Sequence, residues 1–193
     1  MQETKANAPP AADEELEWLR KAQEDPAAFE PIFHKYHDAI FNYVLRRTCN
    51  VALAQDLTAN TFMKALDNLK RFEWQGVSLS SWLFRIATNE IHQNYRKIKR
   101  QVSLTDELAR ELRDDRHADG PLLELEESVL KHEKFRRVCQ TLAKLELKYQ
   151  TVLTLRYFEE KSIKEIAEIL DLPENTVKTH IRRGLIQLRD LVG

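Results

Sequence analysis

The sequence predicts an all-α protein: two small helical domains joined by a flexible acidic linker, the second ending in a helix-turn-helix. Three observations carry that expectation. Apolar residues recur at helical rather than alternating spacing through most of the chain. Only four of the 193 residues are glycine while 32% are charged, a balance that favours helix over sheet. Between Val102 and Glu127 the acids outnumber the arginines and Gly120-Pro121 breaks any helix, the composition of a loose strap between packed units. The expected divisions are a tail with a short helix (1–24), a first domain (25–100), the linker (101–128) and a second domain (129–193).

Met1–Ala12, rich in Ala and Pro, reads as a disordered tail, and Glu14–Gln23 as a short helix with Leu16 and Leu19 inward. Asp25-Pro26 is a helix start, a capping acid followed by proline at the first position. Phe29, Ile32, Phe33, Tyr36, Ile40, Tyr43 and Val44 then repeat at helical spacing, with Pro31 expected to kink this helix or delay its start. A further run has Val51, Ala54, Leu57, Thr61, Phe62, Ala65, Leu66 and Leu69 inward and Gln55, Asp56, Ala59, Asn60, Lys64 and Asn68 outward. Arg71–Ser81 is a loop holding Phe72 and Trp74. In the helix after it, Trp82, Leu83, Ile86, Ala87 and Ile91 face inward. Arg85, Asn89, His92, Gln93, Arg96 and Lys97 face outward, giving a basic surface flanked by aromatics. Aromatics beside cations can hold the unstacked bases of single-stranded nucleic acid.

Past the linker, Val129–Leu145 and Tyr149–Phe158 resume helical spacing and lead into the most informative stretch, Ser162–Val192. Ser162 stands three residues before Glu165, so hydroxyl and carboxylate can satisfy orphan amides reciprocally. Ile163, Ile166, Ala167 and Leu170 share a face. Leu172-Pro173 stops the run and permits a new helix. That helix has Val177, Ile181, Leu185 and Leu188 as its inward stripe. Its other side carries Asn175, Thr176, Lys178, Thr179, Arg182 and Arg183, with no acid between Asn175 and Arg189. Short helix, tight turn and longer cationic helix make the helix-turn-helix pattern, the second helix entering the major groove N-terminal end first. Asp171 takes the turn position where glycine is common. Gly184 inside the helix should cost about 1 kcal/mol against alanine, a cost consistent with close packing.

Composition sets limits on function. A net charge of −1 excludes a uniformly basic binder, so nucleic-acid contact must come from local patches. Cys49 and Cys139 read as separate, reduced core residues, and no apolar run approaches bilayer length. The N-terminus is not a signal peptide, so the protein is expected to be cytoplasmic without membrane insertion. No phosphate loop or nucleophile motif stands out, so neither catalytic residues nor a cofactor is expected. The pair His34-x-x-His37 could sit on one helix face, but no cysteine-rich pair or carboxylate partner completes a metal site.

In order and spacing, Asp25-Pro-Ala-Ala-Phe-Glu-Pro-Ile-Phe-His-Lys-Tyr, Gln55-Asp-Leu-Thr-Ala-Asn-Thr-Phe, Ser81-Trp-Leu-Phe-Arg-Ile-Ala-Thr-Asn, Leu153-Thr-Leu-Arg-Tyr-Phe and the helix-turn-helix resemble the extracytoplasmic-function (ECF) class of bacterial sigma factors. The resemblance covers nearly the whole chain after the tail. It implies that the first domain binds the clamp helices of the largest subunit of core RNA polymerase, through Gln55, Asp56, Ala59 and Asn60. The same domain would open and read the promoter −10 element with Phe72, Trp74, Asn89, Gln93, Arg96 and Lys97. The linker would thread the polymerase interior. The second domain would hold the −35 element with Asn175, Thr176, Lys178, Thr179, Arg182 and Arg183, and touch the polymerase flap. An anti-sigma factor is an implied partner. Ala59-Asn60 departs from the Gln-Glu or Gln-Asp common at that place in the family. The alternative is a helix-turn-helix regulator of the response-regulator or quorum type, since Asn175-Thr-Val-Lys-Thr-His suits its recognition helix as well. That class carries an α/β domain upstream, whereas 29–97 has helical periodicity and no valine-rich strand runs.

Overall fold

The computed structural model describes residues 10–72, 78–109 and 133–192, all helix and short connections with no strand among them. Among these described residues, eight α-helices follow in order: α1 (Pro10–Glu24), α2 (Glu30–Thr48), α3 (Val51–Asn68), α4 (Leu79–Ala109), α5 (Glu133–Ala143), α6 (Leu147–Tyr157), α7 (Ile163–Leu170) and α8 (Glu174–Val192). The first four make one half, the last four the other.

Local chemistry sets the boundaries in the first half. The Asp25 carboxylate accepts from the Ala27 amide and caps a single 3-10 turn, Pro26–Phe29. Pro31 then sits in the first turn of α2, where its missing amide hydrogen costs nothing, so it delays the helix rather than kinking it. Asn50 caps α3 through the Leu53 amide at 2.9 Å. Between them Cys49 ends α2 in the left-handed region (φ 53°), its amide donating to Leu45 O. α2, α3 and α4 pack around Ile32, Ile40, Tyr43, Ala54, Phe62, Leu83 and Ala87, as their periodicity requires. Phe33 is the exception: it is in register with the inward stripe but is 36% exposed.

Two boundaries differ from the expectation. α1 belongs to the first half rather than to a tail. Leu19 and Ala22 join its core, Gln23 donates to the carbonyls of Leu69 and Phe72, and Glu15 accepts from Lys35 and Tyr36. And α4 runs on to Ala109, well into the stretch read as linker from 101, because 101–109 holds acids but neither glycine nor proline to end a helix. The remainder of that linker, and Trp74, lie outside the described residues.

In the second half the reciprocal cap of α7 forms as the sequence implies. Ser162 N–H donates to Glu165 at 2.8 Å and Glu165 N–H to Ser162 Oγ at 3.2 Å. Asp171 supplies the left-handed turn (φ 54°), which Asp tolerates better than most residues. A Cβ on Gly184 would stand 3.1 Å from both Tyr149 Cβ and Leu153 Cδ1, so glycine lets α8 lie directly on α6. Leu185 corrects the inward stripe of α8: it is 40% exposed, because α6 meets that helix at Gly184 and leaves the next residue at the rim.

The two halves do not sit apart. Val152, Leu155, Ile166, Ile169 and Val177 of the second half share one buried cluster with the interior of the first. α2 meets α5 and α6, and α4 meets α7. Polar ties stitch this seam. Arg46 pairs with Glu159 at 2.8 Å, Arg47 donates to Thr151 Oγ1 at 2.8 Å, Lys161 donates to Ser80 Oγ at 2.8 Å, and Arg85 donates to the Glu168 carbonyl. Arg47 is 1% exposed, with Nε and Nη2 lacking a hydrogen-bond partner among the described residues.

Candidate nucleic-acid interface

α8 presents its polar face outward. Asn175, Lys178, Arg182 and Arg183 are exposed, and Thr176 and Thr179 half-buried. Thr179 donates its hydroxyl to Asn175 O at 2.8 Å, leaving its oxygen lone pairs and its methyl for a ligand. Lys178 is held loosely by Glu174 at 3.8 Å, and no ion pair engages Arg182 or Arg183 among the described residues. His180, between them in sequence, lies edge-on to Tyr149 (5.8 Å between centroids). Desolvation, then the charges of Lys148 and Arg183, push its proton affinity down, so it adds no positive charge at neutral pH. The face therefore offers two guanidiniums, one ammonium and one amide on one side of a helix, a phosphate- and base-edge-binding set.

α4 carries the second polar face. Asn89, Gln93, Arg96 and Lys97 are exposed as expected. Phe72 is half-buried, its ring 4.5 Å from that of Trp82 at 43°, so these two aromatics form one pad at the start of α4. Arg85 and His92 correct the outward reading. Arg85 is spent on the last turn of α7 through Glu168, and His92 faces Thr151 of α6 at 3.4 Å. Burial, with Arg47 and Arg96 adding repulsion, pulls the His92 pKa down from 6.5 to about 4. The second half thus lies along one flank of the α4 face and leaves the other flank open.

On the first half's other side, Gln55, Asp56, Ala59 and Asn60 are all exposed on α3. With α2 they border a groove of about 410 Å³ lined also by Phe33, His37, Asp38 and Phe41. Phe33 stands 4.9 Å from Phe62 and 5.0 Å from His37, and His37 stacks on Phe41 at 6.2 Å, making an aromatic floor. Sequence reasoning finds the α3 rim but misses the α2 floor. Phe33 matches the inward period, and only the packed pair shows that α3 does not cover it. His34 pairs with Glu30 and His37 with Asp38, and no group of three potential metal ligands occurs among the described residues. A second groove, about 480 Å³ and apolar, opens on the second half between Val138, Leu142, Leu153, Tyr157, Phe158, Leu185 and Leu188. No helix among the described residues is long and apolar enough to cross a membrane.

Two family models match these halves: sigma-70 region 2 over residues 32–101 and sigma-70 region 4 over residues 136–188. The ECF RNA polymerase sigma factor SigW of Bacillus subtilis is 36% identical over 184 residues, covering 91% of this chain and 96% of SigW. The RNA polymerase sigma factor YlaC of the same organism is 36% identical over 163 residues, 84% of this chain and 90% of its own. Among solved structures, CnrH in complex with the cytosolic domain of CnrY superposes with a TM-score of 0.68 over 91% of this chain and 94% of CnrH. RpoE of Bartonella quintana, in complex with the anti-sigma factor NepR, gives 0.62 over 85% of this chain and 96% of its own. At 21% and 23% identity these two speak for the fold alone. The α/β regulator alternative is not favoured, since the stretch where its receiver would lie is helical and matches region 2. With both regions present in order and relatives along almost its whole length, the chain belongs to the ECF RNA polymerase sigma factors, alternative sigma factors that direct promoter-specific transcription initiation.

Proposed function

We propose that the three exposed surfaces divide the work of initiation, and that the packed arrangement of the two halves is the resting form of the free protein. α8 holds the −35 element with Asn175, Lys178, Arg182 and Arg183 in the major groove, Thr176 and Thr179 making the shorter contacts. α4 takes the −10 element. Asn89 and the Phe72–Trp82 pad receive an unstacked base, while Gln93, Arg96 and Lys97 follow the backbone, with Trp74 as a further stacking candidate. The α2–α3 groove, rimmed by Gln55, Asp56, Ala59 and Asn60, takes the polymerase clamp helices on its aromatic floor. The apolar groove of the second half takes the flap.

The observation that carries this reading is the ion-pair-free Arg182–Arg183 edge of α8, among the described residues, on the same chain as an exposed Asn89–Lys97 face. Capturing an unstacked base costs a few kcal/mol per step, and two weak DNA contacts on one chain suffice only when a scaffold fixes their separation. Polymerase is that scaffold, so the free protein binds promoter weakly and the holoenzyme binds it tightly. CnrH and RpoE were solved with CnrY and the anti-sigma factor NepR, which supports an anti-sigma partner here that holds the two halves off polymerase. The test is run-off transcription with bacterial core polymerase and a promoter library, with and without the protein. New start sites that depend on Asn89 and Arg182 support the reading. Promoter affinity that core polymerase leaves unchanged contradicts it.

A further inference from the structure

The chain contains two cysteines, one in each half, and they meet. Cys49 closes α2 directly after Arg46 and Arg47, the residues that tie the first half to Glu159 and Thr151. Cys139 lies on α5, 1% exposed, on the side packed against α2. The two thiols are in hydrogen-bond contact across the seam. Sequence spacing presents them as unrelated core residues. The fold instead brings together the only two thiols of the chain at the boundary whose opening the function requires.

We propose that Cys49 and Cys139 are a peroxide-responsive dithiol whose oxidation to a disulfide staples the two halves in the packed arrangement. Cys49 is half-buried and reachable, whereas Cys139 is enclosed, which assigns the roles of attacking and resolving sulfur. The hydrogen bond from Cys139 favours the Cys49 thiolate, while the same contact and burial keep Cys139 a thiol. In the first step the Cys49 thiolate attacks one oxygen of hydrogen peroxide. The O–O bond breaks, hydroxide leaves, and Cys49 becomes a sulfenic acid. In the second, the Cys139 sulfur gives up its proton and attacks the Cys49 sulfur, the S–O bond breaks, and water departs as the S–S bond forms. Two sulfurs are oxidised by two electrons in total and one peroxide is reduced to water. A dithiol reductant reverses the change by exchange. A cross-link compatible with only one of two arrangements removes the other from the equilibrium, so the stapled protein cannot spread its halves over polymerase. The consequence for transcription rests on the proposed function; the disulfide itself does not.

The experiment treats the full-length reduced protein with equimolar hydrogen peroxide, removes the oxidant, alkylates free thiols and maps peptides by mass spectrometry. The expected result is an intramolecular Cys49–Cys139 peptide lighter by two hydrogens, absent from C49S and C139A. In C139A the reaction stops at a Cys49 sulfenic acid that dimedone traps. With core polymerase, the oxidised wild type loses run-off transcript by at least about tenfold, regains it with dithiothreitol, and C49S is unaffected by oxidation. C49S alters only the half-buried sulfur, so it supplies the control if C139A folds poorly by circular dichroism. Intermolecular dimers, or sulfinic acid at Cys49 without a linked peptide, would overturn the proposal. So would a linked protein that transcribes as well as the reduced one. If reduced protein directs no transcription at all, the proposed function fails while the peptide map still decides the disulfide.

Discussion

The polar faces of α8 and α4 look alike in sequence and differ in the folded chain. Both are helical stripes of amides and cations opposite an apolar stripe. On α8 the stripe is fully presented, Arg182 and Arg183 standing clear of any ion pair among the described residues. On α4 the stripe is split. Asn89, Gln93, Arg96 and Lys97 are open, while Arg85 and His92 are engaged by α7 and α6 of the other half. Helical periodicity tells which side of a helix faces its own core. It does not tell which polar positions a second unit will later cover. A polar residue covered in one arrangement and needed in another is where a two-state protein stores its switch. The seam itself has that character: it buries the Arg47 guanidinium with incomplete partners, and no other cation is buried among the described residues.

This contrast can be tested from either side. The largest effect is expected on the open face. Each Arg contact to a base edge or phosphate is worth about 1–3 kcal/mol, so replacing Arg182 and Arg183 by alanine should cut −35-dependent transcription at least about thirtyfold. The salt dependence of holoenzyme binding should become shallower by about one unit for each phosphate that is no longer neutralised. Asn89→Ala should cost less, about 1–2 kcal/mol. It should show as weaker permanganate reactivity of the −10 bases while footprinting at −35 persists. At the seam, Arg47→Met removes a poorly partnered buried cation and should be neutral to stabilising by about 1–4 kcal/mol. Thr151→Val, which strands that cation, should destabilise by about 1–3 kcal/mol in urea denaturation.

The smallest effect is a pH dependence of the packed arrangement. The folded pKa of His92 lies near 4 against 6.5, so between those values the open or unfolded chain takes up a proton that the packed chain refuses. Its contribution is intact above pH 6.5 and is lost as the pH falls toward 4. Glu159 works the other way. Burial holds its carboxyl above the ordinary 4.5 despite Arg46 and Lys161, so protonation on acidification relieves the packed state. Limited proteolysis of the seam should therefore accelerate as pH falls below 6.5, and His92→Gln should abolish that acceleration, leaving only the opposite trend of Glu159.

Features with a local cause were legible in the sequence. The capping pair Ser162 and Glu165, the Asp25-Pro26 start, the Asp171 turn and the tight packing at Gly184 each follow from residues within a turn or from one helix contact. The inside and outside of α3 followed from period alone, which is why all four candidate clamp residues are exposed. What could not be read depends on contacts far apart in the chain. Cys49 with Cys139, Arg46 with Glu159 and Arg85 with Glu168 join segments whose patterns are each already satisfied within their own half. The aromatic floor was hidden because an exposed Phe33 and a buried one obey the same period. The extent of α4 was hidden because an acidic composition is shared by loose straps and solvated helices, and only glycine or proline stops a helix there.

On this account polymerase separates two halves that the free chain keeps together. Energy transfer between dyes placed on exposed Ala52 of α3 and exposed Arg189 of α8 measures this directly. One narrow transfer efficiency is expected for the free protein, shifting to a second, lower value when core RNA polymerase is added. An unchanged efficiency in the holoenzyme, or a broad distribution already present in the free chain, would contradict the claim.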